Sequence, residues 1–265
     1  MNIPLEILFI SFLFYSFIGW FWESIVLNFI QEKTFVNRGF LLGPYCPIYG
    51  AACTCCYILL YQVTNPFVLF ISSGIICSLA EYITSYVMEK LFHARWWDYS
   101  DIPFNLNGRI CLPAACFFGI CCTLICLYLE PWLIHLLVNV KAFYLQLMSY
   151  VVLAFFILDL VTTVITWQHF NQHLSTLHAR LKDETNDKLQ ELAERFADTE
   201  FVRSIEKNKV QVNLDDLEVI MKKNELRFMK AFPRLKMNDY DLFSKIQLDQ
   251  HLKNVTKKKR DKKKM

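Results

Sequence analysis

Five long apolar runs, separated by short polar segments, occupy the first two thirds of the chain. They cover roughly 3–30, 46–64, 66–91, 111–130 and 143–167. Runs of about 18 or more apolar residues are typical of membrane-spanning helices. After residue 167 the pattern changes to charged residues and leucines at helical spacing. The pattern therefore predicts an all-α fold, a polytopic membrane helix bundle of about five spans with a helical C-terminal region.

Composition divides the chain at the same place. Residues 1–167 hold all seven glycines and all ten cysteines, and they carry six Lys and Arg against nine Asp and Glu. The first run lacks the basic start and the small-residue cleavage site of a secretory signal, so we expect it to stay as a helix. We predict a transmembrane domain at 1–167, a cytosolic helical region at 168–256 and a basic disordered tail at 257–265. Within the helical region, helices are expected at 214–232 and 240–255.

Loop charges predict the orientation, because cytosolic loops are enriched in Lys and Arg. Lys33 and Arg38 follow the first run, and three further bases lie in or beside the loop after the third. The turn at 62–66, between the second and third runs, has none. Five spans then place the N-terminus outside and the tail in the cytosol of a multi-pass protein of the cell membrane.

The membrane part has the pattern of two similar hairpins plus one helix. The first pair of runs is joined through 37–40 (NRGF) and the second through 107–110 (NGRI), and each leading run carries one acid, Glu23 or Glu81. Both leading runs point the same way across the membrane. This arrangement is typical of parallel repeats related by an axis along the membrane normal.

Two polar segments join the runs of each hairpin. The segment 96–113, WWDYSDIPFNLNGRICLP, is both aromatic and charged, which suits the membrane–water boundary. Its companion at 37–50, NRGFLLGPYCPIYG, has three glycines and two prolines, so neither segment should form one continuous helix. Their backbone must fold against protein, since lipid cannot satisfy it. The residues expected to shape the two segments are Asn37, Gly39, Gly43, Pro44, Pro47, Trp97, Tyr99, Asn105 and Gly108.

Ionisable residues inside or beside the spans are the candidate site. Acids within a span are costly and usually face the protein interior. We therefore expect a substrate-binding site on the cytosolic half, formed by Glu23, Arg38, Glu81, Asp98 and Arg109. An equally open interpretation is that the acids form a structural ion pair or hydrogen bond with Arg38 or Arg109. Arg38 has a second alternative, which is to anchor the segment to a lipid phosphate.

Other motifs narrow the function. The clustered cysteines at 53–56 and 121–126 lie in apolar runs without nearby histidines, so we expect small apolar packing, with no metal and no cofactor. His169 and His173 lack an evident third ligand. The seven bases of 257–264 suit anionic lipid, and no nucleic acid is expected. There is no G-x-x-x-x-G-K-[ST] run and no G-x-S-x-G elbow, so any use of ATP needs another subunit.

Four segments carry a resemblance to a known family. They are SFIGWFWE at 16–23, NRGFLLGPYCPIYG at 37–50, LAEYITSYVMEKLF at 79–92 and WWDYSDIPFNLNGRICL at 96–112. They resemble the ABC-transporter type IV family of permease-like integral membrane proteins of Gram-positive bacteria. The family pattern has Trp-Gly where this chain has Phe118-Gly119. The resemblance implies an ABC transporter permease subunit in the lipid bilayer. The partners to test are a separate nucleotide-binding subunit and further copies of this chain in a homo-oligomer.

Two alternatives from other classes stay open. One is a membrane-embedded enzyme acting on a lipid or headgroup, with Glu23, Glu81 or Asp98 as acid or base and the two arginines on phosphate. The other is a membrane scaffold that recruits cytosolic partners through its helical tail, which could also form a coiled coil. Product formation by the chain alone would favour the enzyme, and loss of function on deleting 168–265 would favour the scaffold.

Overall fold

The computed structural model describes residues 3–27, 35–195, 227–229, 231, 232 and 235–237, with side chains in the last long helix described as far as residue 176. Its helices are α1 Leu5–Phe21, α2 Pro47–Leu60, α3 Pro66–Phe92, α4 Leu112–Leu124, α5 Glu130–Val138 and α6 Ala142–Arg195. Two π-helical turns, Trp22–Leu27 and Ile125–Leu129, follow α1 and α4. The strands are dipeptides, β1 Ala94–Arg95, β2 Asn105–Leu106, β3 Ile110–Cys111 and β4 Lys236–Met237. The predicted all-α helix bundle is confirmed.

Among the described residues, four helices are long and apolar enough to cross a membrane. They cover Leu5–Leu27, Pro66–Phe92, Leu112–Val138 and Ala142–Thr176. The run at 46–64, predicted as a fifth span, contains the shorter helix α2 of 14 residues. Such a helix rises about 21 Å, less than the roughly 30 Å hydrocarbon thickness of a bilayer. The helix is shorter than the apolar run because Pro47 begins it and residues 61–65 turn back toward α3.

Local sequence explains where α3 begins. The side chain of Asn65 accepts hydrogen bonds from the backbone N–H groups of Phe67 and Val68, at 2.9 and 3.3 Å. These N–H groups have no partner inside the helix, so an Asn at this position satisfies them. Pro66 follows as the first helical residue, where its missing N–H costs nothing.

The fourth run extends further than the sequence predicted. The run was predicted over 111–130, and a proline such as Pro131 normally ends or kinks a helix. In the structure α5 continues directly to Val138 through the π-helical turn Ile125–Leu129. A proline ring crowds the carbonyl four residues earlier, here Leu127, and the wider π turn contains that residue.

Helices α1 and α2 pack together, as do α3 and α4, so the two predicted hairpins are present. Each contact is close at a glycine. Gly50 of α2 lies against the backbone carbonyl of Phe12, and Gly119 of α4 lies against Phe70. Small residues allow such close approach of helices in a membrane. The relation of the two hairpins by a common axis stays a prediction.

The chain divides into two compact units, one formed by 1–163 with 230–235 and the other by 164–229 with 236–265. In the second unit the rings of Trp167, Phe170 and Phe228 pack with centroids 5.2–5.8 Å apart. Residues 227–229 and 231 are helical, within the helix predicted at 214–232. The predicted helix at 240–255 and the basic tail at 257–265 lie outside the described residues.

Candidate functional site

The two polar segments between the hairpin helices lie side by side. The first, segment A, is residues 35–46, and the second, segment B, is residues 93–111. The ring of Phe40 in segment A lies 4.9 Å from that of Trp96 in segment B, edge to face, and 5.3 Å from Phe92 at the end of α3. Trp96 is buried, with 2% of its surface exposed. Three aromatic rings therefore join the segments that the sequence identified as companions.

Segment A is ordered around Asn37 and is tied to the leading helix at two points. The Asn37 side-chain oxygen accepts from the Trp20 indole at 2.8 Å and from the backbone N–H of Gly39 at 3.0 Å, while its amide donates to the Leu42 carbonyl. The backbone N–H of Arg38 donates to the Ser24 hydroxyl at 2.9 Å. Ser24 lies in the π-helical turn that also holds Glu23.

Asp159, in the apolar first part of α6, binds the other end of segment A. Its carboxylate accepts from the backbone N–H groups of Leu42 and Gly43, at 2.9 and 2.7 Å, and from the hydroxyls of Tyr45 and Thr163. Burial raises the pKa of the Tyr45 phenol well above its ordinary value, and the Asp159 charge raises it further, so the phenol remains a donor. Asp159 was not among the candidate site residues of the sequence analysis. An acid in an apolar helix next to an unpaired segment was the available signal.

Segment B is a self-bonded turn. Its β2 and β3 strands pair antiparallel, and the Asn105 side chain accepts from the backbone N–H of Gly108 at 3.0 Å. Gly108 has φ +65°, the left-handed region, and a β-carbon there would collide with Asp98 and Ser100. Asp98 accepts from the N–H and hydroxyl of Ser100. These contacts give Asp98 and Asn105 a role in shaping the turn.

Arg109 anchors segment B to α3. Its guanidinium forms an ion pair with Glu89 at 2.7 Å, donates to the Ser85 hydroxyl at 3.0 Å, and lies over the ring of Tyr86 at 5.6 Å. The indole of Trp97 donates to the Arg109 carbonyl at 3.0 Å. The sequence suggested Glu81 or Glu23 as the partner of this arginine, and the structure places it about two helical turns from Glu81, on Glu89.

Glu23 and Glu81 are each held by a tyrosine. The Tyr49 hydroxyl, at the start of α2, donates to Glu23 at 2.5 Å, and the Tyr99 hydroxyl, in segment B, donates to Glu81 at 3.0 Å. Glu81 is buried, with 7% of its surface exposed. The two carboxylates lie close enough to interact electrostatically. Among the described residues neither acid forms an ion pair with Lys or Arg.

Tyr99 lies outside the spanning helices and responds to both acids. Burial raises the pKa of its phenol well above the ordinary value, and the charges of Glu81 and Glu23 raise it further. The phenol therefore stays protonated at neutral pH and can donate to Glu81. Glu23, Tyr49, Tyr99 and Glu81 form one group, here called the Glu–Tyr cluster.

The remaining predicted residues support the segments. The backbone of Gly43 binds Asp159, Gly39 is buried, and Pro47 begins α2 directly after Pro44 bends segment A. Arg38 has a half-buried side chain. The structure thus gives Glu23 and Glu81 a tyrosine partner each, and it uses Arg109 and Asp98 within segment B.

One buried acid was missed by sequence reasoning. Glu130 has 0% of its surface exposed and accepts a hydrogen bond from the Tyr15 hydroxyl at 2.5 Å. It directly follows the second π-helical turn, as Glu23 lies in the first. Its position beside Pro131 made it look like the end of a span.

Comparison with known proteins agrees with this architecture. No curated protein and no solved structure shows a significant match to the chain. The profile of one protein family, described as Putative ABC-transporter type IV, matches residues 10–164, which is more than half of the 265 residues. The match includes most of α1, all of α2 to α5, both polar segments and Asp159. With its four apolar helices of spanning length, the chain is a membrane protein that belongs to this ABC-transporter type IV family.

Proposed function

We propose that this chain is the permease subunit of an ABC transporter and that the Glu–Tyr cluster binds its substrate. The observation that supports the proposal most directly is that Glu23 and Glu81, from the leading runs of two different hairpins, each accept a hydrogen bond from a tyrosine hydroxyl. Ionisable groups inside a membrane domain are costly, so a pair of acids with a built donor shell points to function. The family membership supports the link to ABC transport.

The chemistry of the cluster favours a cationic group on the substrate. Two nearby carboxylates repel each other, and a positive group between them relieves that repulsion. The tyrosine hydroxyls donate to one side of each carboxylate and leave the other lone pairs for a ligand. The ion pair of Arg109 with Glu89 keeps this arginine from neutralising Glu81.

The other predicted site residues position the cluster. Asp98 and Arg109 hold segment B, which carries Tyr99, and Arg38 bonds through its backbone to the π turn that carries Glu23. Segment A is fastened to α6 by Asp159. A shift of α6 relative to the hairpins would therefore be transmitted to the cluster.

ATP hydrolysis is assigned to a separate nucleotide-binding subunit, because the chain has no Walker A phosphate loop. That subunit should co-purify with the chain from mild detergent. Reconstituted together in vesicles, the two should show ATPase activity that a cationic substrate stimulates. The site is expected on the cytosolic half of the membrane.

Charge-neutral variants test the site. Glu23→Gln and Glu81→Gln should insert and fold like the wild type, yet lower substrate-stimulated ATPase activity at least about tenfold. Asp101→Asn is the matched control, since Asp101 is an exposed acid of segment B. Wild-type stimulation in both Gln variants would contradict the assignment of the site. Product formation by the purified chain alone would contradict the permease proposal and favour a membrane-embedded enzyme.

A further inference from the structure

Three cysteine sulfur atoms meet where α2, α3 and α4 pack together. The Sγ atoms of Cys77 and Cys122 are 3.4 Å apart, and those of Cys56 and Cys77 are 3.7 Å apart. All three Sγ atoms lie within 4.8 Å of one another, and the three residues are buried. The sequence predicted small apolar packing for the clustered cysteines. Cys56 and Cys122 are 66 positions apart in the chain, and only the tertiary structure joins them with Cys77 into one group.

These distances suit a metal ion coordinated by three sulfurs. Sulfur ligands bind such ions at about 2.3 Å, which places three ligands in a plane about 4.0 Å from one another. The observed separations of 3.4 and 3.7 Å need shifts of only a few tenths of an ångström to reach that arrangement. Three ligands from three different helices give a site that the helix packing preorganises.

The ligand set selects the metal. Thiolates are soft ligands and prefer Cu(I) and Zn²⁺ over Mg²⁺ or Ca²⁺. Structural zinc sites are almost always tetrahedral with four convergent ligands. The fourth nearby thiol, Cys53, lies 3.9 Å from Cys122 but outside the group whose members are all within 4.8 Å. A three-coordinate site without a fourth convergent ligand fits Cu(I) better.

The three sulfurs lie in an apolar core. The core around the sulfurs consists of apolar side chains, Tyr15, Tyr57 and five cysteines. Glu130 bonds to Tyr15 and interacts electrostatically with Cys126 of the same core. Within the part of the chain that the structure describes, the second carboxylate oxygen of Glu130 accepts no hydrogen bond.

We propose that Cys56, Cys77 and Cys122 bind one Cu(I) ion through their sulfur atoms. Each thiol loses its proton as it coordinates the ion, the charge of the ion offsets one of the three thiolate charges, and no change of oxidation state is involved. The site is distinct from the Glu–Tyr cluster and does not depend on the proposed transport function. It would make the packing of the two hairpins sensitive to copper.

The first experiment is an anaerobic titration of the full chain, purified in detergent with a reductant, with Cu(I) held by a chromophoric competitor. We expect one equivalent of bound Cu(I) and an X-ray absorption spectrum with a sulfur-only first shell. Cys56→Ser, Cys77→Ser and Cys122→Ser should each lose that equivalent. Cys55→Ser and Cys116→Ser are matched controls, because these thiols are exposed on α2 and α4, and they should keep it.

A second measurement keeps the proposal testable if a ligand variant fails to fold. Bound Cu(I) should protect Cys56, Cys77 and Cys122 of the wild type from a membrane-permeant alkylating reagent, as mapped by mass spectrometry. Cys55 and Cys116 should react equally with and without copper. Absence of Cu(I) binding by the wild type, equal binding by the three Ser variants, or tight binding of Zn²⁺ without Cu(I) would overturn the proposal.

Discussion

At the scale of single residues, the main chemical groups of the membrane part are acids in apolar surroundings. Asp159, Glu23, Glu81 and Glu130 are each held by hydroxyl or backbone N–H donors. Such donors stabilise a buried carboxylate without neutralising its charge. Of the arginines that the sequence suggested as partners of Glu23 and Glu81, Arg109 pairs with Glu89, and Arg38 contacts the π turn through its backbone N–H.

Asp159→Asn should loosen segment A. The Asn side chain has one acceptor oxygen and no charge, so it cannot satisfy the N–H groups of Leu42 and Gly43 together with the Tyr45 hydroxyl. Hydrogen bonds to charged groups contribute about 1.5–3 kcal/mol, and we expect a loss of this order in the free energy of unfolding. Thermal unfolding in detergent and proteolysis of segment A measure it.

The control for this variant is Thr162→Ala. The Thr162 hydroxyl donates to the carbonyls of Leu158 and Asp159 within its own helix, so its removal should leave segment A intact. Equal stability of Asp159→Asn and the wild type would show that the carboxylate charge is unimportant.

Tyr99 should make the protein sensitive to alkaline pH. Its folded-state pKa is raised above the ordinary value of 10.0, while the unfolded chain titrates near that value. The stabilisation is therefore complete below about pH 10 and is lost as the pH rises above it, by about 1.4 kcal/mol per pH unit. The unfolding midpoint of Tyr99→Phe should fall less steeply between about pH 9 and 11.

Tyr61→Phe is the control for the pH series, because Tyr61 is 40% exposed at the end of α2. It should follow the wild-type curve. Parallel curves for Tyr99→Phe and the wild type would mean that Tyr99 does not carry this pH dependence.

At the scale of elements, the two polar segments are built differently although they occupy matching places. Segment A is held from outside, by Trp20 and by Asp159. Segment B is held largely by its own hydrogen bonds and by Arg109. The aromatic contacts of Phe40 with Trp96 and Phe92 connect them, so a change in either segment should affect the other.

The ion pair of Arg109 with Glu89 should govern the docking of segment B on α3. Arg109 is 9% exposed, and removing one partner of a buried pair typically costs about 3–5 kcal/mol. The Glu89 side chain is 21% exposed, so we expect Arg109→Gln to lie near the lower end of that range. Arg109→Lys should recover only part of the loss, because Lys cannot reproduce the planar guanidinium contacts.

A double-mutant cycle with Glu89→Gln measures this coupling directly. Unfolding midpoints of the two single variants and the double variant in detergent give the interaction energy. Arg95→Gln is the control, since Arg95 approaches Glu89 at a longer 3.5 Å. Additive effects of Arg109→Gln and Glu89→Gln would refute the proposed role of the pair.

At the scale of the whole molecule, the path through the membrane depends on α2. The charge pattern of the loops predicts that the N-terminus is outside and the tail inside, which requires an odd number of crossings. Four helices have spanning length, and α2 is short, so the prediction requires segment A and α2 together to complete the fifth crossing. The docking of segment A on Asp159, within α6, provides protein contacts for its backbone.

Reporter fusions test this topology. A reporter at Asn65, in the turn between α2 and α3, should be active only outside the cell, and one at the C-terminus only inside. A pair of reporters on the same side would show that α2 does not cross. The bases of 257–265 are predicted to bind anionic lipid on the cytosolic face, where the tail is already expected. Their truncation should therefore leave both reporters unchanged.

The sequence by itself determined the class of the protein and the segments that matter. Long apolar runs can satisfy their backbone in lipid only as helices, so hydropathy alone was enough for the helix bundle. The family profile matches a region that includes the motifs around Glu23, segment A and segment B. Intramembrane acids were recognisable because each is an expensive exception in an apolar run.

Only the tertiary structure decided which groups meet. Tyr49 and Tyr99 are ordinary aromatic residues in the sequence, and their hydroxyls become partners of Glu23 and Glu81 through helix packing. The length of α2 depends on the turn that follows it, and the continuation of the helix past Pro131 depends on the π-helical turn Ile125–Leu129. Hydropathy does not predict either turn. Hydrogen bonds and sulfur contacts across 18 to 117 positions arise from packing, and a local pattern carries no information about such distances.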